Sequence, residues 1–407
     1  LQLLDEDTAN LRSALDRAVA SGQLDLAERL VDALAWYWYL RGRIAEAVRS
    51  LEAVPDSARA SAWRVGFMYV QGDSDAVGER DRWLESADAR AQWWIAFTGS
   101  DLGDLVSCQA LLDVALKSFE ADGDQWGVAA VLVARAKHAH VRSDVVALHA
   151  DASESARIFR ALGDRWGVLQ ATSWLSAHAE LTGDFDEAAR LQREDVQLAE
   201  ELGLWPELAG ALGMLGWTEI RQGNYEAARA HGERALRLAT EQDQRSTQAL
   251  AEIVLAFAAR RTGALEEAET RLRALVDAAR RQKDPVLYLS LVLTELAYVV
   301  ELRGEPEAAL ELHVEAFRIS EEYESRRGMC WALEGMAACL PDKAVAAQLL
   351  GAAEATRAAE GYPITPAEAE DTVRAASAAR AALGDADFEI AWDAGTALSP
   401  EQAFSLL

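Results

Sequence analysis

Apolar and polar residues follow a helical period along most of the chain. The stretches "RWGVLQATSWLSAHAELTG" and "DFDEAARLQREDVQLAEELG" are typical, each placing its apolar residues along one face of a helix. The predicted helices end on glycines that return on a fixed count. Gly183, Gly223 and Gly263 are 40 residues apart; Gly103 lies two steps earlier, Ser143 stands at the skipped position and Gly304 follows at 41. A second series, Gly123, Gly163 and Gly203, keeps the same step. Glycines so placed predict left-handed C-caps, and Asp184 stands where the next helix needs an N-cap. A fixed period of this length predicts stacked helix pairs.

Close-packing positions keep the same register. Seven residues before each marker come Ala96, Ala136, Ser176, Gly216, Ala256 and Ala297, all small, as two closely approaching helices require. Five residues after it come Cys108, Leu148, Ala188, Ala228, Ala268 and Ala309. Eight before it, Ile95, Leu175, Leu215, Leu255 and Leu296 are core residues, while Arg135 breaks the pattern and predicts an irregular unit around 124–162.

This arrangement resembles the tetratricopeptide repeat, whose small helix-A and helix-B positions match in kind. The usual unit is about 34 residues, so each helix here is expected to be longer by nearly a turn. The expected fold is all-α: a right-handed superhelical solenoid of antiparallel helix hairpins with a period of about 40 residues, stabilised by neighbour-to-neighbour interfaces. Three regions are expected: irregular hairpins over 1–102, the regular array over 103–340, and a helical cap over 341–407.

The ends are less regular. The aromatic run Trp36, Tyr37, Trp38 and Tyr39 points around more than one helix face, so two rings are expected inside and two against a neighbouring repeat, domain or ligand. Helix "RIAEAVRSLEAV" stops before Pro55, Pro363 and Pro366 punctuate the C-terminal cap, and Ser399–Pro400 open a last short helix.

Charge and composition narrow the function. With 67 acids against 40 bases the chain carries a formal −27, which argues against direct nucleic-acid binding. The acidity is otherwise a solvated helical surface. Three scattered cysteines (Cys108, Cys330, Cys339) suit a reducing cytoplasm and make neither a disulfide framework nor a zinc site. No apolar run approaches the length of a membrane span, Glu295 interrupting the greasiest segment, and no signal peptide is visible. The start at Leu1 rather than methionine suggests a piece of something larger.

Four further motifs carry a more specific resemblance: "LDEDTANLRSAL" (4–15), "WYWYLRGRIAEA" (36–47), "LGDRWGV" (162–168) with its variant "DGDQWGV" (122–128), and "AAQLLGAAEATR" (346–357) followed by "ALGDADFEIAWDAGTALSPEQA". They resemble the C-terminal tetratricopeptide half of large bacterial transcriptional regulators of the signal-transduction ATPase type, including antibiotic-regulatory activators of the SARP type and large LuxR-type regulators. The resemblance implies a regulatory arm that senses an effector and holds attached ATPase and DNA-binding domains in check. Leu204-Trp205-Pro206 replaces the Asp-x-Trp-Gly phrase, a departure from the pattern.

Catalytic and cofactor signatures are missing. No lysine (Lys117, Lys137, Lys283, Lys343) follows a glycine, so there is no phosphate-binding loop, and zinc-protease, C-x-x-C, nucleophile-elbow and EF-hand patterns do not occur. His138 and His140 fall on different helix faces and are poor joint metal ligands. Neither enzyme activity, cofactor nor metal is expected.

The first helix of each hairpin should line a concave groove. Six residues before each marker stand Phe97, Lys137, Ala177, Trp217, Phe257 and Tyr298; ten before it, Trp93, Val133, Ser173, Gly213, Ile253 and Thr294. Gln170 belongs to the same set, and the helix ends add His140, Glu180, Arg221, Arg260, Arg261 and Glu301. Arginine forks suit carboxylate or phosphate, and aromatic rings supply stacking area. An anionic or aromatic small-molecule effector, or an acidic peptide, is therefore expected near Trp217, Arg221, Phe257 and Arg260. The competing reading is a ladder that packs the superhelix interior, its arginines paired to Glu219, Glu252 or other acids. A scaffold that binds a partner peptide or forms a homo-oligomer is the alternative function.

Overall fold

The structure, a computed structural model of the 407-residue chain, describes all residues except 55–56, 72–82, 84–85, 87, 101–104, 143, 243, 282–287 and 362–363. The expectations placed on Pro55, Gly103, Ser143 and Pro363 lie outside the described residues. The described elements are 22 helices, and no strand occurs among the described residues. Nor is any described helix long and apolar enough to cross a membrane.

The chain divides into two compact units, Leu1–Ala211 and Leu212–Leu407. The first contains α1 (Gln2–Glu6), α2 (Thr8–Ala20), α3 (Leu24–Leu40), α4 (Ile44–Glu52), α5 (Ala58–Val70), α6 (Ala89–Gly99), α7 (Leu105–Asp122), α8 (Gln125–Val141), α9 (Val145–Leu162), α10 (Arg165–Leu181) and α11 (Phe185–Leu202). The division falls within α12 (Trp205–Gln222). The second contains α13 (Tyr225–Glu241), α14 (Arg245–Arg261), α15 (Leu265–Arg280), α16 (Leu289–Leu302), α17 (Pro306–Glu322), α18 (Arg326–Cys339), α19 (Lys343–Glu360), α20 (Pro366–Leu383), α21 (Asp385–Thr396) and α22 (Pro400–Phe404).

The period has a local cause. From α8 to α15 a helix begins every 20 residues, so one hairpin takes 40. At the corners before α8, α10, α11, α12, α13 and α15 a left-handed glycine (Gly123, Gly163, Gly183, Gly203, Gly223, Gly263) is followed by a residue that closes one helix and opens the next. Gly163 has φ +70°, the Asp164 N–H bonds the Phe159 carbonyl at 3.0 Å, and the Asp164 carboxylate accepts from the Gly167 N–H at 2.7 Å. Asp124, Asp144 and Asp184 cap α8, α9 and α11 in the same way. A Cβ at Gly163 or Gly263 would meet no atom within 4 Å, so the left-handed backbone alone selects glycine there. The helices of α7–α15 run to 16–18 residues, the extra turn expected of a 40-residue unit.

Packing follows the register read from the sequence. Ala96, Ala136, Ala256, Ala297, Cys108, Leu148, Ala188, Ala228, Ala268 and Ala309 are all fully buried. A Cβ on Gly216 would stand 2.9 Å from Val254 Cγ1 and 3.3 Å from the Ala228 carbonyl oxygen, so α12 and α13 meet there without a side chain between them. In the inter-repeat phrase the glycine is a seat for a ring: a Cβ on Gly167 would come within 2.2 Å of the Phe159 ring, and one on Gly127 within 2.3 Å of Phe119. The irregularity expected at 124–162 does not shorten the two helices described there. Arg135 leaves the core face to pair with Asp151 at 3.1 Å, and α8 and α9 keep their full length.

The terminal motifs also have structural reasons. Asp5 of the first accepts from Arg41 Nη2 at 2.6 Å and from the Tyr37 hydroxyl at 2.8 Å, which clamps α1 to the end of α3. Near the C-terminus, α19 and α21 cross at backbone distance. A Cβ on Gly395 would lie 2.1 Å from the Gln348 carbonyl oxygen, and one on Gly351 2.3 Å from that of Trp392.

Candidate functional site

In the second unit, Trp217 of α12, Phe257 of α14 and Tyr298 of α16 form the ladder expected of the groove. The Trp217 and Phe257 rings meet edge-on at 5.3 Å, and the Arg260 guanidinium lies 4.9 Å from the centroid of Tyr298. Arg221, Arg261 and Thr294 border the same space. Thus seven of the candidate residues converge here. Glu301 lies beside them and holds Arg374 through two hydrogen bonds of 2.6 and 2.7 Å.

The groove is not open. Helix α20, which the sequence marked only as a cap, lays its acidic residues across it. Asp371 receives Arg260 through two bonds of 3.0 Å and Arg261 at 2.8 Å. Glu370 takes Arg261 at 3.2 Å and the Tyr225 hydroxyl at 2.8 Å. Glu368 faces Arg327 at 3.3 Å and Arg357 at 3.4 Å. The free space left is about 50 Å³. The acids that partner Arg260 are therefore Glu295, at 2.5 and 2.9 Å, and Asp371, rather than Glu219 or Glu252; Glu252 pairs with Arg271.

Local sequence places α20. Thr365 and Glu368 form a capping box with Pro366 at the first turn, so the helix starts at a defined residue and Glu368 is oriented by its own N-terminus. Residues 368 and 371 then share one face. Electrostatics follow from burial against pairing. Burial pushes the Asp371 carboxyl up, but Arg260, Arg261 and Arg374 outweigh it and hold it below its ordinary value. Burial likewise opposes ionisation of Glu368, and Arg327, Arg357 and Arg221 hold it low. Below them, Glu334 and Arg357 form a buried fork at 2.7 and 2.9 Å.

The first unit holds a second concentration of rings. Tyr37 and Trp38 are buried, whereas Trp36 and Tyr39 stack on each other at 5.1 Å and turn toward other helices. Trp36 meets Trp166 at 4.8 Å, Trp93 at 5.9 Å and Trp126 at 6.1 Å. A cavity of about 640 Å³ is lined by Trp36, Trp63, Trp93, Trp94 and Trp126, with Asp32, Asp88, Arg59 and Arg90 among its polar residues. Trp93 and Phe97, both candidates from the sequence, stack here at 5.4 Å. The convergence of four helices on Trp36 was not readable from spacing, although the four-residue aromatic run was a signal.

The remaining candidates are dispersed. His140 is half-buried against the Trp174 ring at 5.5 Å. Ser173 donates to Asp195 at 2.9 Å, Glu180 accepts from Gln192 at 2.8 Å, and Lys137 and Gln170 are half-buried. These five do not line either cavity.

Comparison with known proteins agrees with this architecture. The tetratricopeptide repeat family model matches residues 168–241. No curated protein matches the sequence. Among solved structures, a signal transduction ATPase with numerous domains carrying a tetratricopeptide repeat sensor, from Pyrococcus horikoshii, is similar with a TM-score of 0.55 and 17% identity, over 79% of this chain and 52% of that one. The chain thus spans about half the length of that protein. A Rap protein complexed with competence and sporulation factor is similar with a TM-score of 0.53 and 14% identity, over 93% of this chain and 99% of that one. The chain is an all-α solenoid of the tetratricopeptide kind, with a matching repeat at 168–241.

Proposed function

We propose that the chain is a non-enzymatic, cytoplasmic, effector-sensing arm of a bacterial transcriptional regulator, controlling attached ATPase and DNA-binding domains without contacting nucleic acid itself. Its effector site is the groove of the second unit. One observation carries this reading: the groove holds an acidic helix, α20, through arginines that are themselves buried. A buried guanidinium stripped of its carboxylate is strongly destabilising, so anything that displaces α20 must bring carboxylates of its own. The small free volume favours an acidic peptide that replaces α20 over a metabolite that slips in beside it.

The effector is then a helical segment with two acids one turn apart, in the places of Glu368 and Asp371. Exchange of such a segment with α20 alters the packing of α18–α20 and biases whatever is attached. The likeness to a tetratricopeptide sensor of a multidomain ATPase and to a Rap protein bound to a competence and sporulation factor supports the reading at the level of fold. The test is fluorescence anisotropy of a labelled peptide spanning residues 365–383 added to the full chain. Saturable binding is expected, tighter to E368Q/D371N chains and lost in chains carrying Trp217→Ala with Arg221→Ala. Equal affinity in those last chains removes the proposal.

A further inference from the structure

We propose that the tryptophan-lined cavity of the first unit is a separate binding site for an organic cation, an ammonium or guanidinium carried on a flat apolar body. Its volume, about 640 Å³, falls among small-molecule sites of about 300–1,000 Å³. Five tryptophans line it, and one of them, Trp126, already carries a guanidinium, that of Arg90, over its ring. The negative quadrupole of an indole face attracts cations and repels anions.

The charges of the cavity divide into a fixed set and a movable set. The fixed set is negative. Asp32 is held by the Trp63 indole N–H at 3.0 Å through Oδ1, and Asp88 is held by capping α6, its Oδ1 accepting from the Arg90 and Ala91 N–H groups. Both carboxylates are left with Oδ2 toward one guanidinium: Arg59 lies 3.2 Å from Asp32 Oδ2 and 3.6 Å from Asp88 Oδ2. The movable set is positive. The side chains of Arg59 and Arg90 are 59% and 68% exposed, on long flexible stems that solvent can receive. Arg90 rests over the Trp126 ring at 5.5 Å and reaches Asp124 at 3.5 Å. The protein's own arginines therefore occupy the two places a ligand cation would take, one between two carboxylates and one on an indole face. Exposed pairs of this kind hold weakly, so an incoming cation displaces Arg59 and stacks its body on the tryptophans.

This makes an unusual prediction: removing a positive residue from the site should tighten binding. The experiment is calorimetric titration of the full chain with benzyltrimethylammonium, and with benzoate as the matched anion, at fixed ionic strength. Saturable binding of the cation is expected, about fivefold tighter in Arg59→Ala and about tenfold weaker in the isosteric D32N/D88N pair. Benzoate should not bind. Asn at 32 still accepts from Trp63 and Asn at 88 still caps α6, so the pair keeps the fold. Cation affinity unchanged in D32N/D88N, no cation binding even to Arg59→Ala, or benzoate binding that Arg59→Ala abolishes would each overturn the proposal.

Discussion

Arg260 and Asp371, 111 residues apart in the chain, meet through two parallel hydrogen bonds of 3.0 Å in a place where both side chains are almost wholly buried. The pair joins α14 to α20, so the acidic helix is held by the groove rather than merely lying over it. Glu295 takes the rest of the guanidinium, which leaves Arg260 satisfied only while α20 is in place.

Asp371→Asn should therefore cost about 3 kcal/mol in urea unfolding, because it leaves a buried cation short of a carboxylate. Arg280→Ala, which breaks the solvent-exposed pair with Glu315, should stay within about 0.5 kcal/mol of the parent. Equal losses in the two variants would mean that the α20 contact is no more than a surface ion pair.

Glycines of two kinds should separate in a thermal unfolding series. Gly163→Ala meets no clash but must hold φ +70°, at a cost of about 1 kcal/mol. Gly395→Ala puts a methyl group 2.1 Å from a carbonyl oxygen of α19 and must force the helices apart, costing about 3 kcal/mol. The C-terminal pair α19–α21 depends on that approach.

Stability should depend on pH through buried groups of opposite sign. Burial raises the Asp195 carboxyl from 3.8 to about 8, so its favourable contribution is complete below pH 4 and is lost as pH rises toward 8. Asp195→Asn should flatten that fall and be the more stable chain at pH 8. Burial depresses His313 to about 3, so its contribution is present above pH 6.5 and lost as pH falls toward 3. His313→Leu should weaken the acid-side slope only. Urea midpoints between pH 4 and 8 read both effects.

Most of the fold was legible in the sequence because its repeat is built from local corners. A glycine such as Gly163 and a cap such as Asp164 are neighbours, and the small positions that follow from them recur at fixed offsets. The ladder of Trp217, Phe257 and Tyr298 was legible for the same reason. What the groove contains was not. Asp371 and Glu370 lie more than a hundred residues from Arg260 and Arg261, and among 67 acidic residues neither stands out. Spacing likewise marked Trp93 but not its meeting with Trp36, since α3 lies outside the regular array and carries no register to extrapolate.

Hydrogen–deuterium exchange across residues 364–383 of the full chain, with and without excess peptide of the α20 sequence, tests the central claim most directly. If α20 is the resident occupant of an acid-binding groove, the peptide should speed exchange in the chain's own α20 while protecting α14 and α16, and a peptide with Gln at 368 and Asn at 371 should do neither. Exchange in α20 that ignores the acidic peptide, or responds equally to the neutralised one, would contradict the account.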